Sequence, residues 1–366
     1  MSEFALFGIS TLFICFTIAT FILSRIPTNI ISAEYELKID PLWPVLTIML
    51  LGAICVYCFF PQQFDAVKDY GFVDFSLPFI LAAIIYFCYL IGIDWLTNII
   101  IFISSLIISF MQPNNFLIFS GELPLWQDRL IVTLVLFIIT RGLGIMNGLG
   151  GLASIQFITV MIISVVLSYF GAAPKILACL ALCYIGTMLA FACFSWPPEK
   201  LIMTNGGFTA IGFVLGCFVI NMSVEYADAS MFIACSYIFT EVGYLIYNRF
   251  LLNQEEEYAF MNTKYYSISN NGEYEEYVVK NSLKIFAVNM FLAVLQISAN
   301  ERFALPFFSI MINMWLLSII SGETKPEDVM SMTKLGLKSV KRIFESNDKK
   351  TPTIKNNKKG KKKQGL

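Results

Sequence analysis

The sequence predicts an all-α integral membrane protein with about eleven transmembrane helices. Hydrophobic residues make up 57% of the chain and charged residues only 14%, and the mean hydropathy is +0.71. That balance excludes an ordinary soluble domain. Apolar runs close to the ~20 residues needed to cross a bilayer recur along nearly the whole chain. None of them shows the alternation of a barrel strand.

Each apolar run predicts one helix. In chain order the helices are expected near residues 4–24, 43–60, 76–93, 96–111, 130–146, 152–170, 176–195, 207–223, 230–248, 282–299 and 304–320. The first run has no basic leader, and Arg25-Ile26-Pro27 follows it instead of a small-residue cleavage site. We therefore interpret it as a retained helix and not as a signal peptide.

Polar and sulfur-containing side chains inside these runs have structural interpretations. The nine cysteines fall almost wholly within the helices, where a thiol behaves as a small apolar group. Cys55 and Cys58 have the spacing of a redox pair, but no soluble domain surrounds them. Asn221, Asn289 and Asn313 are expected to form hydrogen bonds between helices.

Lys and Arg residues set the predicted orientation, because basic loops are retained on the cytoplasmic side. An odd number of helices places the two termini on opposite faces. With the C-terminus inside, the cytoplasmic loops contain or adjoin Arg25, Lys38, Arg141, Lys200, Arg249, Lys264 and Lys280, whereas the outer loops have Lys68, Arg129, Lys175 and Arg302. This bias predicts an N-terminus outside and a C-terminus in the cytoplasm.

The chain divides by composition into a membrane domain and a tail. Residues 1–321 form the predicted polytopic transmembrane domain, and residues 322–347 have the apolar spacing of an amphipathic cytoplasmic helix. Residues 348–366 are rich in lysine and almost free of apolar residues, so we expect a basic disordered tail. It either binds anionic lipids or serves only to hold the C-terminus inside.

Two glycine-rich turns each open an apolar helix on the same predicted face. The first is the segment 147–153, which reads Asn-Gly-Leu-Gly-Gly-Leu-Ala. The second follows Pro197 and Pro198 and contains Asn205-Gly206-Gly207, with Gly212 in the next helix. One out-and-back pair of helices separates the two turns, an ordered pattern that random membrane sequence rarely supplies.

These turns resemble those of the membrane-embedded polyprenyl-phosphate N-acetylhexosamine-1-phosphate transferases, which form glycosyltransferase family 4. In that family the first turn reads Asp-Gly-x-Asp-Gly-Leu, and the second has an Asp at the position of Asn205. The stretch 91–98 stands where the family has Asp-Asp-x-x-Lys, and 241–249 resembles its acidic-to-Tyr/Arg stretch. The resemblance covers most of residues 1–345. It implies a bacterial-type inner (plasma) membrane protein of cell-envelope polysaccharide synthesis, with an active-site-like cleft on the cytoplasmic face.

The resemblance also implies Mg²⁺ as cofactor, polyprenyl phosphate and a UDP-N-acetylhexosamine as substrates, and no nucleic acid as partner. Trp95, Asn147, Gly150 and Asn205 occupy positions at which the family has acids, which leaves Asp94 as the candidate catalytic residue. The chain also contains no histidine, although the family has a histidine cluster in the loop matched by 250–281. Because several stabilising groups are missing together, we expect impaired or absent turnover.

Basic residues flank the vacated positions. Arg141 and Lys200 lie close in sequence to the two turns and are expected to bind phosphate without a metal. The predicted substrate-binding set is Arg141, Lys200, Asn147, Asn205 and the backbone amides of Gly148, Gly151, Gly206 and Gly207. The alternative is an ion pair of Arg141 with Asp94 or Glu241, because an ionisable group near the membrane interior is costly unless paired.

Three functions follow from this pattern. The first is a pseudoenzyme that binds polyprenyl phosphate or modulates a membrane partner protein. The second is active transfer of N-acetylhexosamine-1-phosphate from a UDP-sugar to undecaprenyl phosphate, and the third is a lipid or solute transporter. Both glycine turns lie at predicted cytoplasmic helix ends and not at the bilayer centre, which favours the first two functions.

Overall fold

The structure is a computed structural model that describes most of the chain to Ile320. The described residues are 3–26, 40–61, 72–112, 123–146, 151–171, 173–196, 201, 203–226, 230–251, 274–298 and 304–320. They form helices and turns, and none of them is in a strand. The chain divides into two compact units, Met1–Leu316 and Leu317–Leu366. The predicted amphipathic helix and basic tail lie outside the described residues.

Helices occur at every position where the sequence predicts one. They are α1 (Glu3–Leu23), α2 (Leu42–Phe59), α3 (Phe72–Leu90), α4 (Asp94–Met111), α5 (Leu125–Ile145), α6 (Leu152–Tyr169), α7 (Lys175–Ser195), α8 (Asn205–Tyr226), α9 (Ser230–Ala234), α10 (Ser236–Leu251), α11 (Tyr274–Ser298) and α12 (Ala304–Ile320). The ninth predicted helix is broken at Cys235 into the short α9 and the longer α10. The other ten are single helices.

Several of these helices can cross a membrane. By length and composition six described helices qualify, namely the bulk of α1 and of α8 together with α2, α4, α6 and α7. Shorter apolar stretches are present in α3 and α11. The chain is therefore a multi-pass membrane protein, and the number of eleven spans stays a prediction.

Burial shows which helices form the centre of the bundle. In α8, 94% of the most apolar window is buried, against 28% in α1. The outer helices expose large apolar side chains, such as Phe13, Phe21 and Phe110, as a lipid-facing surface requires. α5 packs closely on α8, where Gly212 leaves no room for a side chain beside Thr140 and Leu143. Small residues permit this close approach of two helix backbones.

The asparagines inside the helices connect neighbouring helices, as the sequence predicts. Gln112 Nε2 donates to Asn221 Oδ1 over 2.8 Å and joins the end of α4 to α8. Asn313 Nδ2 donates to Asn289 Oδ1 over 2.9 Å and joins α12 to α11. All nine cysteines are free thiols.

Arg129 differs from its predicted place in an outer loop. α5 begins at Leu125, more than a turn before the predicted start, and Arg129 is only 1% exposed. Its Nη2 donates to the backbone oxygen of Gln112 over 2.9 Å. The predicted start near residue 130 was too late, because Asp128 and Arg129 are polar but are buried within α5.

Candidate functional site

Seven helix ends meet at one end of the bundle, which we call the site end. There α2, α4, α6 and α8 begin and α3, α5 and α7 end. Contacts of Asp40, Tyr89 and Gly151, described below, hold these ends together, and Gly144 near the end of α5 lies against Asn205 and Thr209 of α8. Four helix N-termini at one place favour negative charge, because their free N–H groups carry partial positive charge.

Asp40 connects three of these helix ends. Its Oδ1 accepts from the Leu42 N–H over 2.9 Å at the start of α2. Its Oδ2 accepts from the Tyr86 hydroxyl of α3 over 2.9 Å and from the Thr204 hydroxyl over 2.5 Å. Asp40 is 7% exposed, so this carboxylate is almost fully buried, and three donors compensate for its desolvation.

Thr204 couples Asp40 to the N-terminus of α8. The Thr204 hydroxyl accepts from the Gly207 N–H over 3.0 Å while it donates to Asp40. The first bond is a side-chain N-cap, which satisfies one of the unpaired donors of the helix. Asn205, the first residue of α8, is exposed beside this cap. The second glycine turn is therefore a capped helix start held by a buried carboxylate.

Tyr89 lies where the charged residues of the site meet. Its ring occupies the space into which a side chain at Gly206 would project. The charges of Asp94, Arg141 and Asp40 are all near enough to influence its hydroxyl. Asp94 is exposed in the first turn of α4, and Arg141 is half-buried near the end of α5. The arrangement brings two carboxylates and one guanidinium to a single phenol.

The first glycine turn ends at Gly151, which has φ of +79° and immediately precedes α6. Only glycine adopts this left-handed conformation without strain. Trp196, at the end of α7, lies against it, with a ring carbon 3.2 Å from the position of an added Cβ. The turn thus requires glycine both for its backbone and for the approach of the indole.

The structure brings together the described members of the predicted site. Asp94, Arg141, Gly151, Asn205 and Gly207 all lie at the site end, within the set of contacts given above. Asp94 begins α4, whereas the sequence placed it in the turn before that helix. The remaining predicted members, Asn147, Gly148 and Lys200, lie outside the described residues.

Sequence reasoning missed Asp40, Tyr86, Tyr89 and Thr204. Asp40 stands directly before Pro41 and an apolar run, and an acid followed by proline is a recognisable helix-start signal. The two tyrosines gave no such signal, because an aromatic residue in an apolar run is ordinarily part of the packing. Only the packing of α3 against α8 and Asp40 shows that these tyrosines lie at the site.

A comparison with known protein families matches the part of the chain that contains most of this site. The model of glycosyl transferase family 4 matches residues 79–223. Over this part of its length the chain is similar to glycosyl transferase family 4. The matched region includes Tyr86, Tyr89, Asp94, Arg141 and Gly151, and the α8 cap, but neither Asp40 nor α10 to α12. No curated protein matches the chain.

Few carboxylates that could hold a magnesium ion are present among the described residues of the site. Among them, no three Asp, Glu, Cys or His side chains lie close enough to hold a metal ion together. The oxygens of Asp40 already accept from three donors, which leaves Asp94 as the one exposed carboxylate of the described cluster. Magnesium is ordinarily held through one or two carboxylates, phosphates and water. Glu199 lies outside the described residues.

Gly206→Ala is expected to lower stability moderately and to displace Tyr89. The added methyl group meets Cδ1 and Cγ of the Tyr89 ring, so the ring must rotate or α3 must shift. Overpacking of this kind costs about 1–3 kcal/mol, against about 1 kcal/mol gained from helix propensity. Thermal unfolding measures the loss, and the double variant with Tyr89→Ala should recover most of it. No recovery in the double variant would contradict the ring contact.

Proposed function

We propose that this chain binds a polyprenyl phosphate at the site end, neutralises its charge with Arg141, and does not transfer a sugar phosphate. The match of residues 79–223 to glycosyl transferase family 4 supports a role among membrane sugar-phosphate transferases. The observation that carries the narrower proposal is the position of Arg141. It is a half-buried cation near the end of α5, where Gly144 lies against Asn205 and Thr209 at the start of α8. The charge of Arg141 is near the Tyr89 hydroxyl.

The electrostatics of the site favour a phosphate monoester. Arg141 supplies a permanent positive charge and a planar set of donors that matches two phosphate oxygens. Leu152 and Asn205 begin α6 and α8, whose first N–H groups point out along the helix axes at the site end. The lipid-facing surface of the bundle allows the polyprenyl chain to remain in the membrane while its phosphate reaches this end.

The same residues are poorly suited to the transfer reaction. Attack of a lipid phosphate on the pyrophosphate of a nucleotide sugar brings two anions together, which requires concentrated positive charge and well-placed acids or bases. Asn205 offers an amide where the resemblance implies an acid. Asp40 is fixed by three hydrogen bonds. The protein then acts as a lipid-phosphate-binding subunit in the plasma membrane that modulates a separate transferase.

Arg141→Ala is expected to weaken polyprenyl phosphate binding by about 10- to 100-fold, because a hydrogen bond to a charged group contributes about 1.5–3 kcal/mol. Binding is measured with purified protein in nanodiscs, with and without chelator. Lys175→Ala is the control, since this exposed lysine lies at the opposite end of α7. Strict dependence on magnesium, or equal binding by Arg141→Ala, would overturn the proposal. A lower unfolding temperature with unchanged binding would assign Arg141 to an ion pair instead.

The active transferase is the second candidate, and the exposure of Asp94 favours it. This carboxylate is accessible at the first residue of α4 and interacts with Tyr89. The deciding assay combines protein, polyprenyl phosphate, UDP-N-acetylhexosamine and magnesium, with release of UMP as the readout. Turnover that Asp94→Asn abolishes would establish the enzyme. Lipid binding without UMP release would leave the binding function.

A further inference from the structure

A buried polar cluster lies where α9 breaks from α10, on the far side of α10 from the site. Its members are Ser236, Asn289, Ser309 and Asn313, and each of them is fully buried. They come from α10, α11 and α12. We call this set the Ser236 cluster.

Ser236 Oγ is the centre of the cluster. It accepts from Ser309 Oγ over 2.7 Å and from Asn313 Nδ2 over 2.6 Å. It also lies 3.2 Å from Asn289 Oδ1 and 2.7 Å from the backbone oxygen of Ile233, to either of which it can donate. The hydroxyl at the first residue of α10 thus ties this helix to both α11 and α12.

Such a cluster adds little to the stability of a membrane protein, because burying polar groups costs free energy unless each of them is hydrogen-bonded. Asn289 Nδ2 and Asn313 Oδ1 are buried and have no hydrogen-bond partner within the described part of the chain. A half-satisfied polar network in a low-dielectric interior stabilises less than apolar packing of similar volume. Hydrogen bonds are directional, however, so they restrict the rotation of α10 about its axis and its position along that axis. Apolar contacts restrict these two quantities less.

The position of α10 matters for Arg141. Ile238 and Val242, within the first two turns of α10, fill the space beside Gly142 on α5. Gly142 is the neighbour of Arg141 in the sequence. The same stretch carries Glu241, which accepts from the Tyr237 hydroxyl over 2.6 Å. A shift of α10 would therefore displace the part of α5 that carries Arg141.

We infer that Ser236, Asn289 and Asn313 are positioning residues, which set the place of α10 and through it the place of Arg141. The cluster serves the geometry of the site and contributes little to stability. This inference rests on the proposed phosphate-binding role of Arg141 for its functional consequence. Its structural part, the coupling of the cluster to α5, stands without that role.

The test replaces Asn289 and Asn313 together by leucine in the full chain. Because the substitution removes both unsatisfied amides, the unfolding temperature is expected to stay the same or rise. Polyprenyl phosphate binding is expected to weaken about tenfold, the scale of coupling through packed side chains. Amide hydrogen exchange is expected to quicken in residues 236–243 and in 139–145, and to stay unchanged in α1 and α7.

Two further variants complete the test. Thr187→Val removes a buried hydroxyl that bonds only within its own helix, to Cys183 O, and should change neither binding nor exchange at 139–145. Ser236→Thr retains the hydroxyl and should preserve both properties better than Ser236→Ala does. Unchanged exchange at 139–145 in the leucine variant, or a loss of binding that merely follows a fall in unfolding temperature, would overturn the inference. If the wild-type chain does not bind the lipid, the proposed function fails and the exchange result still decides the coupling.

Discussion

Asp40→Asn is expected to lower the free energy of unfolding by about 3 kcal/mol, because hydrogen bonds to a charged group contribute about 1.5–3 kcal/mol each. The substitution keeps the volume of the side chain. It places an amide N–H₂ group, which cannot accept, against hydroxyl groups that donate to the carboxylate in the wild type. The Oδ2 atom accepts from Tyr86 and Thr204, which belong to two different elements of the site end. Loss of these bonds frees the Thr204 cap and, with it, the start of α8.

Thermal unfolding in detergent measures this loss, and lipid binding reports the effect on the site. Asp94→Asn is the matched control, since Asp94 is exposed and such a surface change usually alters stability by no more than about 0.5 kcal/mol. Tyr86→Phe and Thr204→Val each remove one donor and should each cost less than Asp40→Asn. An unfolding temperature equal to that of the wild type in Asp40→Asn would contradict the role of Asp40 as the connection between helix ends.

Gly186→Ala is expected to destabilise the fold by about 3 kcal/mol, at the upper end of overpacking costs. Gly186 lies in α7 against α1, and α1 makes its most extensive packing with α7. An added methyl group meets the backbone of Leu12, with the carbonyl carbon at 3.2 Å and Cα at 3.3 Å, as well as the carbonyl oxygen. A rotamer change cannot relieve a backbone contact, so α1 must move away as a whole.

The control is Gly243→Ala, because nothing lies within 4 Å of a side chain added there. That substitution should raise stability by up to about 1 kcal/mol through helix propensity alone. The two variants carry the same chemical change with opposite expected signs, and thermal unfolding distinguishes them. Leu12→Ala should not rescue Gly186→Ala, in contrast to the rescue of Gly206→Ala by Tyr89→Ala. A stabilised Gly186→Ala variant would show that α1 does not pack against α7 as described.

The positions of the helices could be predicted because each is a long apolar run, and a bilayer leaves little choice of structure for such a run. The glycine turns and the family resemblance could also be predicted from the sequence, and the match over residues 79–223 supports that resemblance. The prediction that Asn289 and Asn313 bond across helices is also confirmed. These features depend on local composition or short motifs, which a sequence displays directly.

Other features depend on which helix lies beside which, and the sequence does not contain that information in a local form. Arg129 was predicted to lie before the helix, whereas it is buried within α5, where its guanidinium donates to the backbone oxygen of Gln112, the residue that follows α4. The break at Cys235 interrupts a continuous apolar run, and its stabilising partners come from α11 and α12. No window of sequence around Ser236 includes them.

The sequence by itself determined a helical membrane protein with a resemblance to glycosyl transferase family 4, because composition, period and motif spacing are properties of the chain alone. The tertiary structure decided that Asp40, far from both turns in sequence, is bonded to the cap of the second turn. It also decided that Asp94 and Arg141 lie near the same tyrosine, Tyr89. A buried charge needs hydrogen-bond partners to compensate for its desolvation. Which groups become those partners depends on how the helices pack.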